Sequence, residues 1–310
     1  MFRKTTVDSK PGQVSLNISQ DGISVAYIHK TGIGLPLLQY AQFFKTQKSS
    51  ENKEKLQQWV NEHQLAETKT VCVLSPQQYE LFLIEEPNTQ EKDLLAAVRW
   101  KMKDYLSYPM EEAIVDYLPL PGKTEDIKGG VGYAVVVKKT IVDEVVQITN
   151  QAGLSVVSVD IAELALRNVA LLFKENSEGV LFIRLSSQGS QILVIKKSTI
   201  HLMRQVDINS RFLFEAEGNT DILKQKLISE LVVEIQRSLE YCVSNLKQSG
   251  VRHIVLAPTN EKNVVVKEEL KKEFGANVSI MTLKDFVQHK ENLDLLEQNK
   301  CLFAIGGALR

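Results

Sequence analysis

The sequence predicts an α/β protein of two related halves, with a small α+β subdomain inserted into the first. Three observations carry this. First, Val14–His29 (VSLNISQDGISVAYIH) and Val180–Val206 (VLFIRLSSQGSQILVIKKSTIHLMRQV) share a build, a β-rich run, a short polar turn at Ser19–Gly22 or Ser186–Ser190, then another β-rich run. Second, a helical pattern and then a short buried strand follow each of them. Third, Gln77–Gly153 interrupts the first half with strands and helices of its own.

Residues 1–76 open the first half. A charged, Ser-rich connection around Gln47–Asn52 leads to Glu54–His63, where Leu56, Trp59 and Val60 share a helical face. Thr70–Leu74 is a buried strand that Ser75-Pro76 closes. In the insertion, residues 77–153, Tyr79–Ile84 reads as a strand, and Glu86-Pro87-Asn88-Thr89 breaks it. A helix then places Leu94, Leu95, Val98, Met102, Tyr105 and Leu106 at spacings of three and four, with Glu91 and Asp93 in its first turn. After Tyr108-Pro109, Ala113–Leu118 is a strand, and Gly129-Gly130 opens the β-prone Val131–Val137. Thr140-x-x-Asp143 resembles a capping box ahead of Ile141, Val145 and Ile148, and Gly153 ends that helix.

Residues 154–178 return to the first half with a strand, Leu154–Val159, and a helix, Ala162–Phe173. Residues 179–310 form the second half. Its long helix, Ile222–Leu246, aligns Leu223, Leu227, Leu231, Ile235, Leu239, Cys242 and Leu246, with Glu230, Glu234, Arg237 and Glu240 turned away. Ile254–Ala257 is a strand ending in the turn Ala257–Asn260, followed by a helix, Glu261–Phe274, and a strand, Val278–Met281. In the closing Phe303–Leu309, the Gly306-Gly307 pair allows close backbone approach.

The 310 residues, 44% hydrophobic and 24% charged, suit a soluble globular protein of one large or two ordinary domains. A formal charge of −1 supplies no general attraction to nucleic acid or anionic membrane. The opening MFRKTTVDSKPGQ has no apolar core, so neither a signal peptide nor a membrane anchor is expected. No apolar run reaches the length of a membrane-spanning helix. Cys72, Cys242 and Cys301 stand far apart and in no CxxC pair, which fits reduced cytoplasmic thiols better than a metal site. No P-loop, GxSxG, zinc-finger or RNA-binding signature occurs, so nucleic-acid binding is not expected.

Several groups carry two readings. Ser186–Ser190 is a plain hairpin turn or the remnant of a phosphate cradle, and the hairpin is favoured. Arg99, Lys101 and Lys103 form a solvated helix face or a surface for acidic lipid or a partner. Glu111, Glu112 and Asp116 flank a strand with no nucleophile or metal set nearby, which favours a structural role. Tyr105, Tyr108 and Tyr117 have the amphipathic rings favoured at interfaces, and they equally suit partly buried structural positions.

The stretches LSYPMEEAIVDYLPL (Leu106–Leu120), GLSVVSVDIAELALRNV (Gly153–Val169), EIQRSLEYC (Glu234–Cys242) and FAIGGALR (Phe303–Arg310) stand in an order and spacing that resemble the type IV pilus assembly protein PilM family. Within it, the chain is most similar to the MshI branch of mannose-sensitive haemagglutinin (MSHA) pilus biogenesis. More distantly it resembles the cytoplasmic part of the type II secretion protein GspL. The resemblance implies an actin-like (ribonuclease H-like) ATPase fold, whose two hairpin turns face each other across a cleft and hold the phosphates of ATP in binding members. It also implies a scaffold on the cytoplasmic face of the inner membrane, peripheral to it. There the N-terminal cytoplasmic tail of a PilN-like single-span protein lies in a groove between the first subdomain and the insertion. Arg99, Trp100, Tyr105, Tyr108 and Tyr117 are the candidate groove residues. A further implied partner is the pilus motor ATPase.

The family's nucleotide site matches poorly here. The first turn of ATP-binding members reads Asp-Ile-Gly and continues to a Lys, where this chain has Asn17-Ile18-Ser19 and Ser24. The second reads Asp-Ile-Gly-Ala-Ser, where this chain has Arg184-Leu185-Ser186-Ser187-Gln188, followed by Gly189. The Gly-Gly of the adenosine loop falls on Ala257-Pro258-Thr259-Asn260. A carboxylate in each turn would anchor Mg²⁺ against the phosphates, and glycine would let backbone N–H groups close on them. Without these groups, no cofactor and no ATPase activity are expected. The alternatives are an ATP-binding regulator whose subdomain closure follows nucleotide, with Arg184 pairing to phosphate, and a sugar-kinase-like phosphotransferase.

Overall fold

The structure, a computed structural model, describes residues 12–29, 35–121, 130–173, 178–209, 220–244, 251, 253–258, 263–283, 288–289 and 293–310. The first half opens with an antiparallel meander of β1 (Gln13–Ser19), β2 (Gly22–His29) and β3 (Leu37–Lys45). Helix α1 (Ser49–Glu62) leads into β4 (Lys69–Leu74), which lies parallel to β1, and β8 (Ser155–Ile161) lies parallel to β4. The short β14 (Gln288–His289) completes the order β14-β3-β2-β1-β4-β8.

The second half repeats the plan. β9 (Val180–Arg184), β10 (Ser190–Lys196) and β11 (Thr199–Val206) are antiparallel, and α5 (Thr220–Ser244) follows. β12 (His253–Leu256), α6 (Asn263–Phe274) and β13 (Asn277–Ile280) complete the order β11-β10-β9-β12-β13. Both sheets therefore contain a three-stranded meander continued by two parallel strands, with β14 added at the edge of the first; the paired hairpins were expected, the third strand of the first meander was not.

A third sheet, ordered β5-β7-β6, is built from β5 (Tyr79–Glu85), β6 (Ala113–Pro119) and β7 (Val131–Lys138). Side chains alternate across it. Ala113, Val115, Ala134 and Val136 pack on Val98 and Met102 of α2 (Glu91–Met102), while Leu81, Leu118, Tyr133 and Val137 turn to the main core. Helix α3 (Lys139–Gln151) follows β7 directly and packs Val145 and Ile148 into that same core.

Two helices fill the space between the large sheets, α4 (Ala162–Ala170) and α7 (Leu295–Ala308). They approach so closely that a Cβ on Gly306 would lie 2.2 Å from the Ala165 carbonyl oxygen. On Gly307 it would lie 2.2 Å from Ser15 Oγ. The close approach expected of this glycine pair is thus made within a helix. A capping box starts α7: Asp294 Oδ1 accepts from Glu297 N at 2.8 Å and Glu297 Oε2 from Asp294 N at 3.4 Å.

Some expectations change. Helix α2 stops at Met102, so Tyr105 and Leu106 are not on it, and Leu95 is exposed. Pro109 disfavours helical backbone just before it, and the chain has already left the helix there. Thr140 does not cap α3, because β7 runs straight into the helix with Lys138 at the N-cap and no side-chain cap. Helix α4 ends at Ala170, three residues before Phe173. Helix α1 absorbs the Ser-rich connection from Ser49 on: Asn52 is buried, and its Oδ1 accepts from Thr46 Oγ1 at 2.5 Å. On α5 the buried face is Ile228, Leu231, Val232, Ile235, Ser238 and Cys242, while Leu223 is exposed. Residues 1–11, Gly129, Leu246, Thr259, Asn260, Glu261 and Lys262, which carried other expectations, lie outside the described residues.

Candidate functional site

The two hairpin turns are built alike. In the first, Ser19 Oγ donates to the Gly22 carbonyl (3.2 Å) and accepts from Asp21 N (3.3 Å). In the second, Ser186 Oγ donates to the Gly189 carbonyl (2.8 Å) and accepts from Gln188 N (3.2 Å). A serine that bonds the backbone of its own turn satisfies the loop locally. Gly189 takes φ +99°, a conformation only glycine adopts readily. Ser187 gives its carbonyl to Asn209 Nδ2 at 2.6 Å.

The turns face each other and are bonded together. Gln188 Nε2 donates to Asp21 Oδ2 at 2.8 Å, and Gln77 Nε2 donates to the Gln188 carbonyl at 2.8 Å. Below them, the Asn17 amide donates to the Val73 carbonyl (2.8 Å) and Ser75 Oγ (2.9 Å). The Ser24 hydroxyl is buried with no hydrogen-bond partner among the described residues.

Arg184, at the end of β9, is 8% exposed. It donates to Gln191 Oε1 (3.1 Å) and Asn299 Oδ1 (3.2 Å), and its guanidinium lies 4.2 Å from the centre of the Phe303 ring. Burial lowers its pKa to about 10, which leaves it cationic at neutral pH. Asn299 also donates to the Leu185 carbonyl (3.3 Å) and the Pro258 carbonyl (2.5 Å), so one amide of α7 ties down the ends of β9 and β12. Where the resemblance would place phosphates, this chain places its own polar side chains, bonded to one another. No cluster of three His, Cys, Asp or Glu able to hold a metal occurs among the described residues. The cysteines are buried free thiols, pushed up by burial to about 11 at Cys72 and Cys242 and about 12 at Cys301.

Two open features flank this centre. One is a cleft of about 720 Å³ between β5 and the β11–α5 side of the second half, lined by Leu81, Phe82, Arg204, Arg237 and Tyr241 among others. At its floor Tyr133 OH donates to the Met203 carbonyl (2.7 Å) and accepts from Met203 N (3.1 Å). Beside it, the fully buried Glu163 accepts from Tyr79 OH on the insertion and from Gln205 Nε2 on β11 (3.1 Å). One carboxylate thus joins α4 to two other sheets, and burial raises its pKa.

The other feature is a narrower groove, about 180 Å³, between β8 and β6, the outer strands of their sheets. Ile114, Leu118, Val159, Ile161 and Leu164 line it, and its charged lining residues are Asp116 and Asp160. Tyr117 also lines it, with its OH 3.4 Å from Glu86 Oε2. The other four groove candidates lie elsewhere. Arg99 donates to the carbonyls of Ala113 and Met110, both at 3.3 Å, and Tyr105 packs 5.6 Å from Phe82. Tyr108 lies under Lys138 Nζ, and Trp100 is 78% exposed on α2, across the small sheet from the groove.

Sequence reasoning missed Asp21, Gln77, Asn299, Glu163 and Asp160. Asp21 and Gln77 sit in or beside turns that were recognised, so a search for side chains able to reach across the cleft could have found them. Asn299 and Glu163 carry no local signal, because their partners lie 115 and 84 residues away.

No protein-family model matches the chain, and no curated protein matches it. Its three-dimensional form is similar to a structure described as the PilM-PilN type IV pilus biogenesis complex. The TM-score is 0.73 at 18% identity, over 96% of this chain and 98% of that one. It is also similar to a Bacteroides thetaiotaomicron protein of actin-like ATPase fold and unknown function, at TM-score 0.51 and 14% identity, over 97% and 98% of the chains. The cytoplasmic domain of Epsl, an inner membrane component of the type II secretion system of Vibrio cholerae, overlays more loosely, at TM-score 0.49 and 11% identity over 94% and 93%. With two sheets of one plan, helices packed between them and two facing turns, the chain has the actin-like ATPase fold.

Proposed function

We propose that this chain is a non-catalytic scaffold on the cytoplasmic face of the inner membrane in type IV pilus biogenesis, of the MSHA type, akin to MshI. In this reading its β6–β8 groove holds the cytoplasmic tail of a PilN-like single-span membrane protein. The observation that carries the reading is the groove itself: a mainly apolar slot bordered by two outer strands that have no strand partner on that side among the described residues, so their edges could offer backbone hydrogen bonds to an extended segment. The likeness to one member of the PilM-PilN complex supports it. Turns that bind each other and lack carboxylates at Asn17 and Arg184 support a role without nucleotide turnover. Among the described residues, no helix is long and apolar enough to cross a membrane.

The test is a pull-down with synthetic peptides copying the cytoplasmic tails of the single-span pilus proteins of the same cell. Ile114→Arg fills the groove from a position already 38% exposed, so the fold should tolerate it. Loss of capture by this variant, with Trp100→Ala unaffected, is the expected result. Capture indifferent to Ile114→Arg would sink the reading.

A further inference from the structure

The cleft between β5 and the β11–α5 side of the second half belongs neither to the paired turns nor to the β6–β8 groove. At about 720 Å³ it has the size of a small-molecule site. Its two walls differ in kind. β5 presents Leu81 and Leu83, the latter 41% exposed, while the facing wall presents Arg204 from β11 and Arg237 from α5. Four of the twelve lining residues, Tyr79, Phe82, Tyr133 and Tyr241, are aromatic, against 7% of the whole chain, so the lining is enriched in ring surface.

The two arginines carry more charge than their partner removes. Glu234 Oε2 lies 2.8 Å from Arg204 Nη2, and Glu234 Oε1 accepts from Arg237 Nη1 at 2.8 Å. One carboxylate between two guanidiniums leaves one positive charge. Glu80, the carboxylate among the lining residues, does not answer it. It falls with Ile84 on the α2 face of β5, where burial and then the Glu80 charge raise the pKa of Tyr108. Asp207, Lys226 and Glu230 line a neighbouring hollow instead, where Lys226 pairs with Glu230 at 3.9 Å.

Arg204 has a structural task, because its contact with Glu234 fastens β11 to α5. Arg237 has none of that kind. Its pair with Glu234 lies within one helix, its side chain is 64% exposed, and such a pair contributes little. Among the described residues only its Nη1 is bonded, so its other donors remain for a ligand. The shape also limits what enters. β11 is an outer strand, but Tyr133 OH already bonds both N and O of Met203, so a peptide cannot add there as a further strand.

We propose that this cleft binds a small aromatic anion, its carboxylate or phosphate held by Arg237 and Arg204 and its ring packed against Leu83 and the lining tyrosines. The proposal is independent of the tail reading of the β6–β8 groove. Guanidinium forks offer paired N–H donors to such acid groups. Rings packed edge-on or offset against tyrosine add affinity beyond the area they bury. A ligand seated here touches the insertion and the second half at once.

The probe is anilinonaphthalene sulfonate, an aromatic anion whose fluorescence reports entry into an apolar site, titrated into the full chain. Phenyl naphthylamine supplies nearly the same rings without the charge. The sulfonate should bind saturably and about tenfold more tightly than the uncharged compound. Arg237→Gln should remove that difference by weakening the sulfonate alone. Leu83→Glu sets a carboxylate opposite the arginines and should abolish sulfonate binding. Both positions are exposed, so unchanged thermal midpoints are expected to show that the variants fold. Naphthyl phosphate should displace the sulfonate, and octyl phosphate at the same concentration should displace far less.

Absence of saturable binding, equal binding of the charged and uncharged compounds, or indifference to Arg237→Gln and Leu83→Glu overturns the proposal. So does octyl phosphate displacing as well as naphthyl phosphate, which would assign a lipid-like ligand instead. Sulfonate binding lost in Ile114→Arg and kept in Leu83→Glu would place the probe in the β6–β8 groove, and the cleft would then have no claim to it.

Discussion

Buried titratable groups give this protein opposing pH responses, each traceable to one residue. His201 is 6% exposed, and burial lowers its pKa, so it folds neutral. Below its ordinary value of about 6.5 the unfolded chain gains a proton that the folded one resists, so stability falls with pH from there down to the folded value. Glu163 works the other way. Its folded pKa is raised by burial, so as pH falls towards its ordinary range the folded state takes the proton first and gains stability. Urea unfolding at about pH 7.5 and about pH 5.5 separates the two. His201→Gln should lose less stability on acidification than the parent, and Glu163→Gln should lose more. Identical pH dependence in parent and variants would mean that neither group titrates on unfolding. At this scale the sequence marked only part of the site. Ser19, Ser186 and Gly189 were legible because a turn constrains its own residues. Arg184 was flagged by position, but its partner Asn299 was not, because nothing local tells a buried asparagine from an exposed one.

Elements were legible in proportion to how one-sided their burial is. The paired hairpins and α5 declare themselves through alternation or a stripe. Helix α7 does not: it is buried nearly all round, including Gln298 and Asn299, so it lacks the polar face that marks a surface helix. Strand β3 was missed as well, its burial irregular along LLQYAQFFK. The closing Gly306-Gly307 pair was nevertheless recognised as a site of close approach, and the packing turns that into a prediction. In an isolated helix, Gly→Ala would gain about 1 kcal/mol. At Gly306 the new methyl meets the Ala165 backbone at 2.2 Å, and α4 and α7 must separate within the shared core. Gly306→Ala should therefore destabilise by about 3 kcal/mol in chemical denaturation, in the overpacking range. Gly307→Ala meets Ser15 Oγ and a Val73 methyl, side-chain atoms that can yield, so its loss should be smaller. The reverse ranking would show that the two helices slide apart easily.

For the molecule as a whole, the question is what holds its two halves together across the cleft. In an ATP-dependent member of this fold the nucleotide would bridge the halves; here Gln188–Asp21 and Gln77–Gln188 do so directly, and the Arg184–Asn299–Phe303 cluster ties β9 to α7, which packs on the first sheet. The exposed turn-to-turn bonds are each worth only about 1 kcal/mol, so they set register more than strength. The Arg184 cluster is different in kind, because a buried cation pulled from its acceptors leaves unpaired polar groups behind. A phosphate would have to displace both sets of contacts before gaining its own. The expected outcome is that millimolar Mg-ATP leaves the thermal midpoint unmoved. A ligand at about a hundred times its dissociation constant would add about 2.7 kcal/mol, a shift of a few degrees for a chain of this size and easily seen. A shift of that size, lost in Arg184→Ala, would mean that the turns open to admit nucleotide, and ATP would then regulate closure. An unmoved midpoint in the parent, together with groove-dependent capture of a tail peptide, would describe an actin-like frame that closes on itself and leaves binding to its β6–β8 edge.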